Sequence, residues 1–202
     1  MAHCQLANFE AALKLCETAM SRAPSSIDVA LKVLEVSLYF GNPLVLQHNK
    51  FLDELQKRVK HSFVKDEYEA PLPIIKCNDK IHIAVISNQL FSGDVADFLM
   101  PLLERIDSTK FDLTVYQQSA AGGPVFEVLK STAPNWRRIV DLDNDVVELI
   151  LEREGTDLVI DLCGFSENGR PALFAALGKW KPVINMFCHP FGIGTPGANV
   201  VL

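Results

Sequence analysis

The chain has 202 residues, of which 49% are hydrophobic and 22% charged, a balance typical of a globular protein with a sizeable core. A formal net charge of −6, without any basic stripe, argues against nucleic acid as the main partner. No apolar run reaches the roughly 18 residues of a membrane-spanning helix, and the N-terminus lacks the pattern of a secretion signal. We therefore expect a cytoplasmic or nuclear protein.

The five cysteines are odd in number, and no two of them have the CxxC spacing of a zinc or redox site. Reduced thiols explain this pattern best, so no metal site is expected. The cysteines are Cys4, Cys16, Cys77, Cys163 and Cys188.

Residues 1–62 are predicted to be helical. Ala12 and Ala19 lie seven residues apart and Pro24 closes the segment, which resembles the second helix of a tetratricopeptide repeat. We expect the two alanines at a close helix–helix contact, with further helices from Ser26 and over 44–59. No full repeat can be counted twice, so a terminal repeat and a plain helical bundle both stay open. Residues 63–79 contain Pro71 and Pro73 and are interpreted as a linker.

From residue 80 to 202 the pattern alternates between apolar strands and amphipathic helices. Strands are predicted over 80–87, 111–116, 136–140, 158–162 and 182–187, with helices over 95–106, 124–131, 144–154 and from 171. This alternation predicts an α/β fold, a Rossmann-like parallel sheet with right-handed crossovers. We expect the order 3-2-1 for the first strands, with the last two on the other side of the first.

The loop over 88–94 has a single glycine, so it cannot form the GxGxxG turn of a dinucleotide site. No GKS or GKT follows a strand either, which argues against the phosphate loop of ATPases. We therefore expect no bound cofactor.

Chemistry-bearing residues follow the last two predicted strands. Because parallel strands end at one edge of a sheet, we expect Gly164, Arg170 and the 189–194 segment to converge there. His189 is suited to acid–base work or to hydrogen bonding of a sugar or phosphate, although capping of the strand edge is the favoured interpretation for a lone histidine there. Arg170 could bind an anion or pair with a neighbouring carboxylate, Glu167 or Asp161. The candidate substrate-binding residues are Gly164, Arg170, Pro190, Gly192 and Gly194.

The stretches DLVIDLCGFSENGRPALFA and PVINMFCHPFGIG resemble the protein O-linked N-acetylglucosamine transferases of the SPINDLY type. The matching residues are Asp161, Gly164, Arg170, Leu173, Phe174, Ala175, Pro182, His189, Pro190 and Gly194. The resemblance implies tetratricopeptide helices before the N-terminal lobe of a two-lobed glycosyltransferase. It also implies a UDP-sugar donor, which is a substrate and not a cofactor, and acceptor proteins or peptides modified on Ser or Thr.

The sequence departs from the family in three places, one of which is the turn SENGR (166–170), where the polar residues are shifted. The loop around Gly93 and Asp94 lacks the histidine that family members carry, and Phe191 stands where a small residue is usual. The resemblance also leaves out the family's second lobe, which holds most UDP-sugar contacts. The resemblance therefore implies an acceptor-side lobe that is inactive as this isolated chain. The alternative is a non-catalytic interaction or scaffold module derived from the same fold, and an unrelated small-molecule α/β enzyme is a third hypothesis.

Overall fold

The structure is a computed structural model, and it describes residues 9–26, 29–30, 32–33, 80–90, 93–120, 122–164, 169–186, 198 and 200–201. These residues fall into two compact units, one holding those from 9 to 33 and the other those from 80 to 201. The predicted boundaries at 62 and 79 lie outside the described residues. Within the described ranges, no helix is long and apolar enough to cross a membrane.

The first unit contains helix α1, Phe9–Arg22, and further helical residues at 29–30 and 32–33. Ala12, Cys16 and Met20 recur every four residues and form its buried face. The Ser26 hydroxyl accepts a hydrogen bond from the Val29 N–H at 3.3 Å, which is the N-cap interaction expected for the second helix. Ala19 is only half-buried. The predicted helix over 44–59 lies outside the described residues, so the tetratricopeptide interpretation stays a prediction.

The second unit is built on a sheet in which every strand pairing is parallel. The strands lie in the order β3-β2-β1-β4-β5-β6, which confirms the predicted parallel sheet. The sixth strand has only two residues, too few for a recognisable sequence pattern, and it was not predicted. The strands are β1 Ile81–Ser87, β2 Phe111–Gln117, β3 Asn135–Arg138, β4 Leu158–Asp161, β5 Val183–Asn185 and β6 Val200–Val201.

Helices cover the two faces of this sheet. One face packs its apolar side chains, including Val85 and Val115, against α2 and α3, and the other packs Ile86 and Val159 against α4 and α5. The alternation arises because successive strand residues point to opposite faces. The helices are α2 Gly93–Arg105, α3 Pro124–Thr132, α4 Asn144–Arg153 and α5 Pro171–Leu177.

A hydrogen-bonded contact ties α4 to the sheet. The buried Tyr116 hydroxyl donates to Glu154 Oε2 at 2.6 Å, and Glu154 Oε1 lies 3.0 Å from the Arg137 Nε on the neighbouring strand. Burial, together with the bond to Glu154, raises the pKa of Tyr116 above its usual value. The phenol therefore stays protonated and continues to donate as the pH approaches 10.

Removing the Tyr116 hydroxyl should weaken the fold measurably. Tyr116→Phe keeps the ring and deletes one hydrogen bond to a carboxylate, so we expect a loss of about 1 to 2 kcal/mol in unfolding free energy. The loss in unfolding free energy is measured by urea denaturation. Glu154→Gln in both backgrounds gives the control, because the two losses should not be additive if the residues are coupled. An unchanged urea midpoint for Tyr116→Phe would contradict this account.

Candidate functional site

The carboxyl edge of the sheet collects most of the buried polar side chains in the described part of the chain. Apart from Thr156, every one of them ends a strand or directly follows one there. A buried polar group is costly unless it is hydrogen-bonded, so such a concentration needs a structural or functional reason. The side chains are amides, one hydroxyl and one carboxylate, from Ser87, Asn88, Gln117, Gln118, Asp161 and Asn185.

Asp161 organises the end of β4. Its Oδ1 accepts the backbone N–H groups of Cys163 at 2.7 Å and Gly164 at 3.2 Å. Its Oδ2 accepts the side-chain amide of Asn185 at 2.7 Å. The carboxylate therefore fixes the turn that leaves the strand. Gly164 has φ +53°, in the left-handed region that glycine tolerates best, and this conformation is the structural reason for a glycine there.

Cys163 is held inside this turn. Its Sγ lies 3.6 Å from the Ile86 carbonyl oxygen and 3.8 Å from Gln118 Oε1. Burial first, and the charge of Asp161 second, raise the pKa of the thiol. Since the thiolate is the reactive form, Cys163 is an inert buried thiol that donates hydrogen bonds.

Cys163 should resist alkylation in the folded protein. At pH 8 to 9, around the ordinary thiol pKa, we expect iodoacetamide to modify it at least about tenfold more slowly than in urea, because the native thiol stays protonated and covered. Peptide mapping by mass spectrometry measures the rates. Equal rates in the native and urea-unfolded states would show that the thiol is accessible.

Arg170 is engaged by the backbone of another loop. Its Nη1 donates to the Leu142 carbonyl at 2.6 Å and to Asn144 Oδ1 at 3.1 Å, and its Nη2 donates to the carbonyls of Ile139 at 2.9 Å and Val140 at 3.3 Å. Burial lowers the pKa of the guanidinium from its usual value. These bonds tie the start of α5 to the connection between β3 and α4. A role in anion binding stays a prediction.

The structural role of Arg170 can be tested by a change that keeps the charge. Arg170→Lys cannot reproduce four bonds from a planar fork, so we expect a loss of about 2 to 3 kcal/mol in unfolding free energy. Arg138→Lys is the matched control. Arg138 makes one exposed ion pair with Asp141 at 3.0 Å, so its replacement should cost less than about 0.5 kcal/mol in the same urea titration. Similar losses for both variants would contradict the assignment.

His189, Pro190, Gly192 and Gly194 lie outside the described residues, so their roles stay predictions. The chain enters their segment from Met186, whose N–H donates to the Asp161 carbonyl at 2.9 Å at the end of β5. Gly164 and this exit from β5 therefore lie at the same edge of the sheet, as expected for consecutive parallel strands. Sequence reasoning missed Asn185 and the paired glutamines Gln117 and Gln118. A polar residue at the last position of an apolar strand was the available signal.

A second polar region lies at the opposite, amino edge of the sheet. It is an open cavity of about 470 Å³ lined by His82, Asp112, Thr114, Pro134, Asn135, Trp136, Arg137 and Glu154. Its polar groups already lie close to one another: Arg137 pairs with Glu154, and His82 Nδ1 lies 3.7 Å from Asp112 Oδ2. Since ligands of open parallel sheets bind at the carboxyl ends of the strands, this cavity is not the candidate site.

Comparisons with known proteins give a fold relationship. No family model and no curated protein matches the sequence. Among solved structures, a mutant of the Thermobaculum terrenum O-GlcNAc transferase superimposes with a TM-score of 0.57 at 17% sequence identity. The match covers 91% of this chain and 41% of the transferase chain. The chain thus has a glycosyltransferase-like fold of the O-GlcNAc transferase kind and spans about two fifths of that structure.

Proposed function

We propose that the chain is the acceptor-side lobe of a protein O-GlcNAc transferase-like enzyme, which transfers a sugar from a UDP-sugar to Ser or Thr of proteins. The fold relationship to an O-GlcNAc transferase over 91% of the chain carries this proposal. The resemblance of the 157–194 stretch to the same family is separate support, because it rests on sequence motifs and not on the fold. That stretch contains β4, β5 and the candidate His189.

The chemistry of the carboxyl edge favours the acceptor side over the donor side. Its described buried polar groups are mainly neutral amides, so the edge is built without a concentration of positive charge. A nucleoside diphosphate calls for cationic or backbone N–H donors. Arg170 has few donors left for a diphosphate, since its terminal nitrogens already bond to three carbonyls and Asn144.

The alternative is a non-catalytic interaction module that uses this fold to bind a partner protein. The exposed apolar side chains on the outer faces of α3 and α4 favour this candidate, because helix faces of this kind can dock another protein. They are Val125 and Val128 on α3 and Val146 and Leu149 on α4. Binding of acceptor peptides through the carboxyl edge distinguishes the two proposals.

The 202-residue polypeptide should bind Ser/Thr-rich peptides without glycosylating them. Transfer requires the leaving diphosphate to be stabilised by positioned cationic and N–H donors, and the match spans only about two fifths of a transferase chain. We expect no incorporation from radiolabelled UDP-N-acetylglucosamine. We also expect peptide binding, measured by fluorescence anisotropy, to weaken about tenfold in His189→Ala, which corresponds to about 1.4 kcal/mol.

His82→Ala is the control, because His82 lies at the amino edge and its side chain is 41% exposed. Its peptide affinity should equal that of the unsubstituted chain. Incorporated label that is lost in His189→Ala would overturn the expected inactivity and make His189 a catalytic residue. Absence of peptide binding would reject the acceptor-side proposal and favour the interaction module.

A further inference from the structure

The open cavity at the amino edge of the sheet lies apart from the candidate site. Side chains from β1, β2 and β3 line it, together with Glu154, which directly follows the last residue of α4. Its volume of about 470 Å³ falls within the range of small-molecule sites, roughly 300 to 1,000 Å³. The cavity is therefore large enough for an organic ligand, and its lining decides which chemistry fits.

The charges that line this cavity do not balance. Glu154 and Arg137 offset each other, since Arg137 Nε lies 3.0 Å from Glu154 Oε1. The other carboxylate, Asp112, has no lysine or arginine partner among the lining residues. The C-terminal end of α4 adds partial negative charge next to Glu154. One arginine against two carboxylates and a helix C-terminus makes the cavity negative while His82 is neutral, so it favours a cationic ligand.

Three oxygen acceptors in the cavity have no hydrogen-bond donor within the described part of the chain. They are Asp112 Oδ2, Asn135 Oδ1 and the Thr114 hydroxyl oxygen. The Asn135 amide Nδ2 donates to Asp112 Oδ1 at 2.7 Å and to the Leu113 carbonyl at 3.3 Å, which fixes its orientation and leaves its own oxygen available. Thr114 is the register partner of Asn135 and lies on the same face of β2 as Asp112. The three acceptors are therefore neighbours on one face of the sheet.

We propose that this cavity binds a primary ammonium group, the group that ends a lysine side chain and an aliphatic polyamine. An ammonium has three N–H donors for the three acceptors, and its charge offsets that of Asp112. A planar guanidinium fits less well, because its bidentate contact needs both carboxylate oxygens and Asn135 already occupies Asp112 Oδ1. The described residues contain no group of three His, Cys, Asp or Glu side chains for a metal ion.

This inference does not depend on the proposed function, because the cavity lies at the opposite edge of the sheet from the candidate site. Its natural ligand is either a free polyamine or a lysine side chain of a partner protein. Both present the same ammonium group to the same three oxygens, so the site is tested first with the shared chemistry alone.

Titration of the 202-residue polypeptide with n-butylammonium chloride, at pH 8 and constant ionic strength, tests the site. The indole N–H signal of Trp136, which lines the cavity, reports binding in ¹⁵N-labelled protein. The chain has two tryptophans, so Trp180→Phe assigns the two signals. We expect the Trp136 signal to shift saturably with a Kd of roughly 1 to 10 mM, as is reasonable for so small a ligand. Tetramethylammonium, which has the charge but no N–H donor, should produce no comparable shift.

Two variants and one matched control identify the acceptors. Asp112→Asn removes the charge but can still accept the Asn135 amide, and it should weaken n-butylammonium at least about tenfold. Thr114→Val keeps the shape, removes one acceptor and should weaken it about threefold. Asp141→Asn is the control, because Asp141 is a 73% exposed carboxylate outside the cavity that pairs with Arg138. It removes the same charge from the chain, so its affinity should stay within about twofold of the original.

The outcomes decide the proposal as follows. Unchanged affinity in Asp112→Asn and Thr114→Val, or an equal loss in Asp141→Asn, would overturn it, as would an equal response to tetramethylammonium. If Asp112→Asn does not fold, Thr114→Val decides, since it keeps every charge. Displacement of n-butylammonium by submillimolar CaCl2 would show a metal site instead. Spermidine and N-acetyl-lysine amide then compare the two sources: the tighter ligand identifies a free polyamine or a lysine side chain, and either result supports the ammonium site.

Discussion

The arrangement of the second unit depends on one constraint, the burial of its central strands on both faces. Side chains within β1 and β4 contact helices above and below the sheet, so polar groups there would lose water without gaining partners. In β1 and β4, polar side chains are consequently confined to the strand ends. Parallel pairing then gathers the carboxyl ends of all strands at one edge. The candidate site is thus the consequence of apolar packing elsewhere, and its position follows from topology before any ligand is considered.

The same constraint explains why so much of the fold could be predicted. Strands buried on both faces give continuous apolar runs, and amphipathic helices between them give a 3.6-residue period, so the elements and their parallel order were predictable. The ends of the elements were less predictable, because β3 and β5 proved shorter than the predicted ranges 136–140 and 182–187. β6, with two residues, contributes only pairing to β5 and leaves no pattern in the sequence.

The candidate site was predictable in position and less so in chemistry. Arg170 illustrates why the chemistry was harder to predict. An arginine at this position could either bind an anion or make structural hydrogen bonds. Its acceptors, the carbonyls of Ile139, Val140 and Leu142, are backbone atoms about 30 residues away that no side-chain pattern reveals. Asn185 was overlooked for the related reason that its partner, Asp161, is a neighbour only through strand register. Hydrogen bonds between distant segments are a property of the folded chain.

A lobe of this kind can recognise a substrate without accelerating a reaction. Binding needs only contacts with the ground state, whereas catalysis requires contacts that strengthen as charge develops on the leaving group. The described carboxyl edge offers neutral amides and a carboxylate whose hydrogen bonds are directed inward. Because these groups are buried and internally bonded, they shape the loops at this edge, and they add no positive charge that could stabilise a departing diphosphate. Under the proposed function, sugar transfer therefore depends on a second surface that supplies positive charge to the leaving group.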